Sequence, residues 1–308
     1  MEQAAKNYLI GTGGWAYFNV PSKQVLRTYS QVFNFTEVNY TFYEYPEVRN
    51  VKVWREAVPT NFVFSVRCHQ DLTHRIGLRS TDEAHNVINQ MLRYCEILNA
   101  PFLVLETPVG YVMNKQEVKN AADLFSSSNF GGVRIVWEIR APLTSVASDF
   151  MRDFGIVHCV DLSRAEPCFY SDVVYSRLFG KGLHNIYQFT DEELIEIDEK
   201  ANKPGSRIVA LSYHGLRMNT DAARFVHYKK TGEFMPATRF TGVESIRAVL
   251  SEDAKFPSSR EELVAHQGWK VVDTTSNRRV RLHELLSRIS DETYSSVNEV
   301  VAALEKVI

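Results

Sequence analysis

Short apolar runs, rich in β-branched and aromatic residues, recur along the first 215 residues and alternate with stretches of helical spacing. They occupy residues 9–14, 35–42, 62–69, 102–107, 134–140, 155–162, 173–180 and 207–215, and each ends in polar or charged residues. Strands that alternate with helices form parallel sheets, and eight such repeats are typical of a closed barrel. The pattern predicts an α/β fold, a (β/α)8 TIM-type barrel followed by a small, mainly helical C-terminal module.

The segments between the runs carry the signals of helices. Apolar residues recur at helical spacing at Val25, Leu26, Tyr29, Val32 and Phe33, and again at Val87, Ile88, Met91, Tyr94, Cys95 and Leu98. Ser80 with Glu83, and Thr190 with Glu193, have the spacing of a capping box. The helix expected around residues 163–171 is the least regular of the set, because Pro167 falls inside it.

The chain changes character after the eighth run. Residues 231–239 contain Gly232 and Pro236 and are interpreted as a linker, which divides the chain into a barrel over residues 1–231 and a module over residues 241–308. In the module we expect helices at 243–250, 280–289 and 294–307, a helix capped by Ser258 or Ser259, and a short strand at 269–272. About 65 residues form a marginal core, so the module is expected to pack on the barrel.

Composition narrows the classes of protein. The chain has 308 residues, 44% of them hydrophobic, a net charge of −2 and no apolar run long enough to cross a bilayer. This balance excludes a globally basic nucleic-acid binder but leaves room for a local basic patch. The first eight residues lack the apolar core of a signal peptide, and the four cysteines have no metal or redox spacing. We therefore expect a cytoplasmic protein without membrane contact and with reduced, mostly buried thiols.

Seven segments carry a resemblance to a known family. They are GTGGWAY at 11–17, EVNYTFY at 37–43, Trp54 with Pro59, FVFSVR at 62–67, Thr73 with His74, Glu138-Ile-Arg140, and RLFG at 177–180. Together they resemble the YecE-like family, domain of unknown function 72, over about residues 8–230. The resemblance implies a TIM-type barrel without an established activity and with a proposed similarity to barrel endonucleases that act on abasic DNA.

The chain departs from the family's bacterial pattern at three places. Arg67 stands where lysine is usual, Phe179 where histidine is usual, and Tyr213 with His214 where paired asparagines are usual. The tail, with Phe256-Pro257, Glu262-Leu263 and Tyr294, resembles a second small uncharacterised domain that is appended to various proteins.

Charged residues converge on the predicted mouth of the barrel. Because side chains alternate along a strand, the inward set is Glu37, Asn39, Thr41, Ser65, Arg67, His69, Glu106, Glu138, Arg140, Arg177, Ser212 and His214, with Asp161 near the end of strand six. Buried charges are costly unless they pair with each other or with a ligand. One interpretation is a closed plug of salt bridges without catalysis. Against it, charges at the C-terminal ends of strands are typical of active sites.

The leading hypothesis is a phosphodiester or phosphate-ester hydrolase that acts on nucleic acid. Glu37 or Glu138 would be the general base and His69 the acid, while Arg140 and Arg177 would stabilise the anionic transition state. The predicted substrate-binding residues are Trp15, Tyr17, Asn39, Tyr43, Arg67, His74, Gly180, Lys181, His214 and Arg217. The loops after strands seven and eight supply glycines and cations for a phosphate, and the aromatic residues supply rings for stacking on bases.

Two alternatives stay open. The first is a barrel that binds nucleic acid or a protein without catalysis. The second is an enzyme of sugars or sugar phosphates, although a retaining glycosidase would need a second carboxylate on strand seven, where Arg177 stands. A Schiff-base aldolase is disfavoured, because no predicted strand ends in lysine.

Cofactors and further partners are only partly indicated by the sequence. His69, His214, Glu106, Glu138 and Asp161 are metal-ligand types, but the three arginines neutralise the acids, so a divalent metal is not favoured and the cofactor stays unknown. Arg278, Arg279 and Arg281, near His266, Trp269 and Lys270, make the module a candidate contact for nucleic acid or protein.

Overall fold

A computed structural model of the chain describes residues 6–307. Its contacts divide it into two compact units. The first contains the residues up to Leu178 together with Glu199–Tyr213, and the second contains Phe179–Asp198 together with the residues from His214 onward.

The first unit contains eight parallel strands. They are β1 (Asn7–Thr12), β2 (Phe35–Val38), β3 (Val63–Arg67), β4 (Phe102–Thr107), β5 (Arg134–Ile139), β6 (Val157–Cys159), β7 (Val173–Leu178) and β8 (Ile208–Tyr213). Their order in the sheet is β6-β5-β4-β3-β2-β1-β8-β7, and a parallel bridge between Val160 and Ser176 joins the two outer strands. The sheet is therefore a nearly closed barrel, which confirms the predicted (β/α)8 architecture.

One face of every strand fills the barrel. The interior cluster consists of Leu9, Phe35, Phe102, Val104, Val136, Val157, Cys159, Val173, Tyr175 and Ala210. Along β2, β4, β5 and β7 the same alternation continues from these apolar residues to a charged residue near the strand's C-terminal end. Apolar layers thus lie below a polar layer, and Glu106 and Glu138 occupy paired positions in the β4–β5 register.

Helices follow most of the strands. They are α1 (Val25–Val32), α2 (Tyr40–Tyr43), α3 (Val48–Glu56), α4 (Asp82–Leu98), α5 (Lys115–Ser127), α6 (Ser145–Asp153), α7 (Asp191–Ala201) and α8 (Met218–Thr231), with a π-helical turn at Asp71–Arg75. Residues 163–171 form no helix, because Pro167 interrupts the segment, so the helix expected there is wrong.

Several strands end earlier than the sequence predicts. Strand β2 stops at Val38, and α2 then begins, because the Thr41 hydroxyl donates to the carbonyls of Val38 (2.8 Å) and Arg67 (2.6 Å). Asn39 and Thr41 therefore do not continue the inward alternation, and the prediction that they do is wrong. His69, Arg140 and His214 likewise lie just beyond β3, β5 and β8.

The helix caps agree only partly with the sequence. Thr190 and Glu193 form the expected capping box, with hydrogen bonds of 3.1 and 3.4 Å between each side chain and the other residue's backbone N–H. The cap of α4 is Thr81 rather than Ser80, because the hydroxyl of Thr81 accepts from the N–H of Ala84.

The second unit contains α8, most of α7 and the whole C-terminal segment. Its further elements are α9 (Val243–Asp253), β9 (Ser258–Ser259), α10 (Arg260–Gln267), β10 (Val271–Thr275), β11 (Arg278–Arg281), α11 (Leu282–Leu286), β12 (Thr293–Tyr294) and α12 (Val297–Leu304). Ser259 and Glu262 form the capping box of α10. The helix expected from residue 280 is wrong at its start, because Arg278–Arg281 pairs antiparallel with β10. The domain division at residues 231–241 stays a prediction.

Within residues 6–307, no helix combines the length and the apolar character that a membrane span requires. All four cysteines are free thiols, and Cys68, Cys95 and Cys159 are buried while Cys168 is exposed.

Candidate active site at the strand ends

Three glutamates and three arginines form one network of ion pairs at the C-terminal ends of β2 to β5 and β7. We call Glu37, Arg67, Glu106, Glu138, Arg140 and Arg177 the ion-pair cluster. The sequence predicted this convergence from strand alternation, and for these six side chains the structure brings the groups together. Equal numbers of carboxylates and guanidinium groups make the cluster formally neutral, which limits the cost of its burial.

Arg177 is the centre of the cluster. Its Nε lies 3.1 Å from Glu37 Oε1, its Nη1 lies 2.6 Å from Glu106 Oε2, and it also pairs with Glu138. Although burial opposes the effect, these three carboxylates raise the pKa of Arg177 well above its ordinary value. Arg177 is therefore a fixed cation that holds three strands' acids at one point.

The deep end of the cluster is closed to solvent. Glu37 is fully buried, and it accepts a hydrogen bond of 2.8 Å from the hydroxyl of Tyr175, which lies 2.7 Å from Ser65 Oγ. Burial, together with the negative charge of Glu37, raises the pKa of Tyr175 well above its ordinary value. A carboxylate held in this way has no path to water, so among the predicted bases Glu138 has the better access.

The solvent side of the cluster consists of Glu138 and Arg140. The Arg140 side chain is 38% exposed and the Glu138 side chain 14%, whereas Glu106 is almost completely buried. Arg140 spans the two acids, with 3.0 Å to Glu106 Oε2 and 3.1 Å to Glu138 Oε1. Burial raises the pKa of Glu138, but Arg177 and Arg140 outweigh it and hold that pKa below its ordinary value.

Arg67 has an unsatisfied hydrogen-bond donor. Its guanidinium donates to Glu106 at 2.5 Å and to Asn39 Oδ1 at 3.2 Å, and its carbon lies 3.6 Å from the centre of the Phe42 ring. Its Nε is buried without an acceptor. Burial, aided by the charge of Arg177, lowers the pKa of Arg67 despite the nearby acids. The positive charge of Arg67 is thus incompletely compensated.

Asn39 links two strand ends at this point. Besides accepting from Arg67, its side-chain amide donates to the carbonyl of Gly13, at 3.0 Å, in the segment after β1. Asn39 therefore holds Arg67 in a fixed position, which is a different role from the inward strand position that the sequence predicted.

The π-helical turn after β3 contains His74. It also contains Thr73, the partner of His74, and Asp71, the partner of His69. His74 Nδ1 lies 2.9 Å from Thr73 Oγ1, and the His74 ring packs edge-on against Phe42. Burial lowers the pKa of His74; Glu106 opposes this effect, while the arginines of the cluster add to it. The Phe42 ring joins His74 to the cluster, because the Arg67 guanidinium lies over that same ring. Single π-helical turns occur frequently at functional sites.

His69 lies before this turn, in contact with a tyrosine. Its ring stacks on Tyr45 with 3.9 Å between centroids, and its Nδ1 accepts from the N–H of Asp71 at 3.2 Å. The same Nδ1 also lies 3.2 Å from Oδ2 of the Asp71 carboxylate. The general-acid role of His69 stays a prediction.

The predicted aromatic residues have different surroundings. Trp15 packs edge-on against Trp54 at 5.3 Å and lines a groove of about 940 Å³ between α1 and α3, which gives it a packing role. Tyr17 is 81% exposed. Tyr43 is also exposed, and it lies beside Arg67, whose guanidinium carbon is 5.8 Å from the ring centre.

The predicted residues of the strand-seven and strand-eight loops belong to the second unit. Gly180 has a φ of +79°, and a Cβ there would lie 2.2 Å from the Tyr187 ring, so close packing explains this glycine. Lys181 pairs with Glu193 at 3.3 Å. The ring of His214 stacks on Phe179, and Arg217 pairs with Glu252. Phosphate binding by these residues stays a prediction.

The basic residues of the module are largely engaged within the second unit. Arg279 pairs with Asp191 at 2.7 Å, and Arg281 pairs with Glu193 at 2.5 Å, whereas Arg278 is exposed.

Asp161, predicted near the mouth, accepts from the hydroxyl of Ser163 at 2.6 Å. Among the residues that the structure describes, no group of three or more His, Cys, Asp or Glu could hold a metal ion.

Sequence reasoning missed two features of the site. Tyr175 shares the inward face of β7 with Arg177, and that parity could have identified it. The stacking of Tyr45 on His69 joins residues on separate loops, and no pattern in the sequence indicates it.

Comparisons with known proteins agree with the fold. The family model described as "Protein of unknown function DUF72" matches residues 9–227. A crystal structure of a DUF72 family protein from Thermotoga maritima is 17% identical, with a TM-score of 0.58 over 73% of this chain and 99% of that one. One from Enterococcus faecalis is 15% identical, with a TM-score of 0.59 over 75% and 99%. No curated protein matches the chain.

Proposed function

The chain belongs to the DUF72 family of proteins of unknown function, and we propose that its barrel mouth binds a phosphate-bearing ligand and hydrolyses the phosphate ester. Nucleic acid is the substrate class that the sequence favours. The observation that carries the proposal is the buried Nε of Arg67, a charged donor without an acceptor. A buried donor without a partner costs about 1–3 kcal/mol, and a ligand oxygen would remove that cost.

An anion also fits the electrostatics around Arg67. Burial and the neighbouring charge of Arg177 lower its pKa, and Glu106 and Glu37 only partly oppose this effect. A phosphate oxygen beside Nε would supply an anionic acceptor for the one Arg67 nitrogen that lacks a partner. Asn39 and Phe42 hold this guanidinium in position, so little ordering is needed when a ligand binds.

Catalysis would follow from competition for Arg140. A bound phosphate competes with Glu106 and Glu138 for this partly exposed guanidinium, and the loss of one cation lets the pKa of Glu138 rise. Glu138 then accepts a proton from water, and the water oxygen forms the new P–O bond. The ester P–O bond breaks, its electron pair passes to the leaving oxygen, and that oxygen takes up a proton from solvent or from His69.

The test is hydrolysis by the full chain and by Glu138→Gln. The substrates are labelled DNA and RNA, as single strands and as duplexes, and p-nitrophenyl phosphate esters, each with and without Mg²⁺, Mn²⁺ or Zn²⁺. Glu138→Gln is expected to lower kcat about 100-fold or more while the affinity for substrate changes little, because it removes the proton acceptor and retains the shape of the side chain.

The matched control is Glu96→Gln, an exposed glutamate on α4 that lies outside the ion-pair cluster. It should retain full turnover. Hydrolysis by Glu138→Gln at the wild-type rate would exclude the assigned base, and a wild-type protein without turnover in all these conditions would exclude the enzyme.

A second candidate, binding without catalysis, is favoured by one observation. Each carboxylate of the cluster already accepts from an arginine, so no acid of the cluster needs a ligand as a partner. The same experiment separates the two, because a binder retains affinity for phosphate-bearing ligands in the absence of any turnover. The free thiols fit a reducing compartment, and we place the protein in the cytoplasm as part of this proposal.

A further inference from the structure

Two exposed tyrosines follow the end of β2, one beside Arg67 and one beside His69. Tyr43 is 58% exposed, and its ring packs edge-on against Phe42, on which the Arg67 guanidinium lies. Tyr45 is 42% exposed, and it stacks on His69. Its hydroxyl donates to Asp71 Oδ2 at 3.0 Å, which fixes the plane of the ring.

These rings are held in place rather than left mobile. Tyr43 belongs to α2, whose Thr41 is bound to the carbonyls of Val38 and Arg67, and Tyr45 is fixed at both its face and its hydroxyl. A rigid aromatic surface exposed to water has unsatisfied apolar area, and a planar ligand ring can cover it at a low cost in side-chain entropy.

We propose that Tyr43 and Tyr45 form a platform on which unpaired bases of single-stranded nucleic acid stack. This inference rests on the proposed phosphate site at Arg67. In a nucleotide the phosphate and the base are joined through one sugar, so a phosphate at Arg67 brings its base to the neighbouring rings. The ring centre of Tyr43 is 5.8 Å from the Arg67 guanidinium carbon.

The platform favours single strands, because the faces of the bases are covered in a duplex. In a duplex each base has both faces covered by its neighbours, whereas an unpaired base can turn out of the stack and place one face on a protein ring. Stacking is tolerant of sequence, because every base has a π-face. The expected ligand is therefore a single strand of any sequence, held by its phosphates at the arginines and by its bases at the tyrosines.

The experiment measures the affinity of the full chain for a fluorescent single strand and for the same sequence as a duplex, at one fixed salt concentration. The single strand should bind more tightly. Tyr43→Leu should weaken single-strand binding roughly 5- to 150-fold, the equivalent of about 1–3 kcal/mol for one stacked base. Tyr43→Phe should bind as the wild type does, because it keeps the ring.

Tyr40→Leu is the matched control, since Tyr40 is an exposed tyrosine of the same helix whose ring packs on Trp54. It should leave the affinity unchanged. If Tyr40→Leu and Tyr43→Leu weaken single-strand binding equally, the platform is wrong, because the shared loss of affinity would then come from destabilisation of α2. Equal affinity of wild type for single strand and duplex would overturn it as well.

A titration with inorganic phosphate separates this inference from the proposed function. Phosphate should bind wild type and Tyr43→Leu equally and should bind Arg67→Gln less well. If that pattern holds and Tyr43→Leu does not weaken oligonucleotide binding, the platform is wrong and the anion site stands. If phosphate fails to bind and Arg67→Gln has no effect, the proposed function fails, and the platform with it.

Discussion

At the scale of single residues, the site depends on how each charge is compensated. Arg177 has three carboxylate partners, whereas Arg67 retains a donor without an acceptor. Glu138 lies between the sealed interior and solvent, and its pKa is held below the ordinary value by two arginines. The same carboxylate that we assign as the base therefore also contributes to stability.

This contribution should depend on pH. The folded-state pKa of Glu138 lies below its ordinary value of 4.5, so the ion pairs stabilise the fold fully above about pH 4.5 and lose this effect as pH falls through the folded pKa. Glu138→Gln should lower the free energy of unfolding by about 1–3 kcal/mol at pH 7. The difference from wild type should shrink in urea titrations as the pH falls below 4.5.

Glu96→Gln is again the control, and its free energy of unfolding should stay within about 0.5 kcal/mol of wild type at each pH. A deficit of Glu138→Gln that stays constant from pH 7 down to the onset of acid unfolding would show that its charge is not the cause.

Residue identity and strand parity were enough to predict that acids and arginines share the mouth. Glu37, Glu106 and Arg177 follow apolar residues on the inward face of their strands, so the pattern located them. Which acid is sealed and which reaches water depends on the packing of separate loops. The sequence therefore left Glu37 and Glu138 as equal candidates for the base.

At the scale of elements, the barrel was predictable and the strand ends were not. Short apolar runs identified all eight barrel strands, but β2 was expected to reach residue 42 and ends at Val38. The reason is tertiary: the Thr41 hydroxyl binds the carbonyl of Arg67 on the adjacent strand, and this contact favours a helical turn. The alternation of apolar and polar residues along one strand does not indicate a contact with the next strand.

Of the two capping boxes that the sequence predicts before residue 231, the one formed by Thr190 and Glu193 is confirmed. Thr190→Ala removes the hydroxyl that accepts from the N–H of Glu193 at the start of α7. We expect a loss of about 1 kcal/mol in the free energy of unfolding, measured by urea denaturation.

Ser80→Ala is the informative control for this prediction. Ser80 has the spacing of a cap, but Thr81 caps α4, so Ser80→Ala should change stability by less than about 0.5 kcal/mol. A larger loss from Ser80→Ala than from Thr190→Ala would contradict this account of the caps.

At the scale of the whole molecule, the second unit joins the segment after β7 to the C-terminal hairpin of β10 and β11. Arg281 donates to the carbonyl of Gln188 at 3.0 Å and lies over the Tyr187 ring, and the side chain of Gln188 accepts from the N–H of Val271 at 2.8 Å. A linker in the sequence suggested a separate module over residues 241–308. These long-range contacts, which the sequence cannot indicate, make the loop part of the module's unit.

The hairpin should therefore order the loop. Arg281→Gln removes the ion pair with Glu193 and the donor to Gln188, so amide hydrogen exchange at residues 187–193 should accelerate about tenfold or more in the full chain, because local opening becomes easier. Arg278→Gln changes an exposed arginine of the same strand and should leave exchange unchanged. Unaltered exchange in Arg281→Gln would mean that the loop is ordered without the hairpin.

The bridge between Val160 and Ser176 has a consequence for the local opening of the barrel. At this seam one backbone pair and the Ser176 hydroxyl, which donates to Val160 and accepts from Leu162, take the place of a full ladder. Thermal fraying of the wall would start there, where the fewest bonds must break. Arg177 is the next residue along that strand. The motion that first lets water into the barrel would therefore also loosen Arg177, which pairs with three glutamates of the cluster.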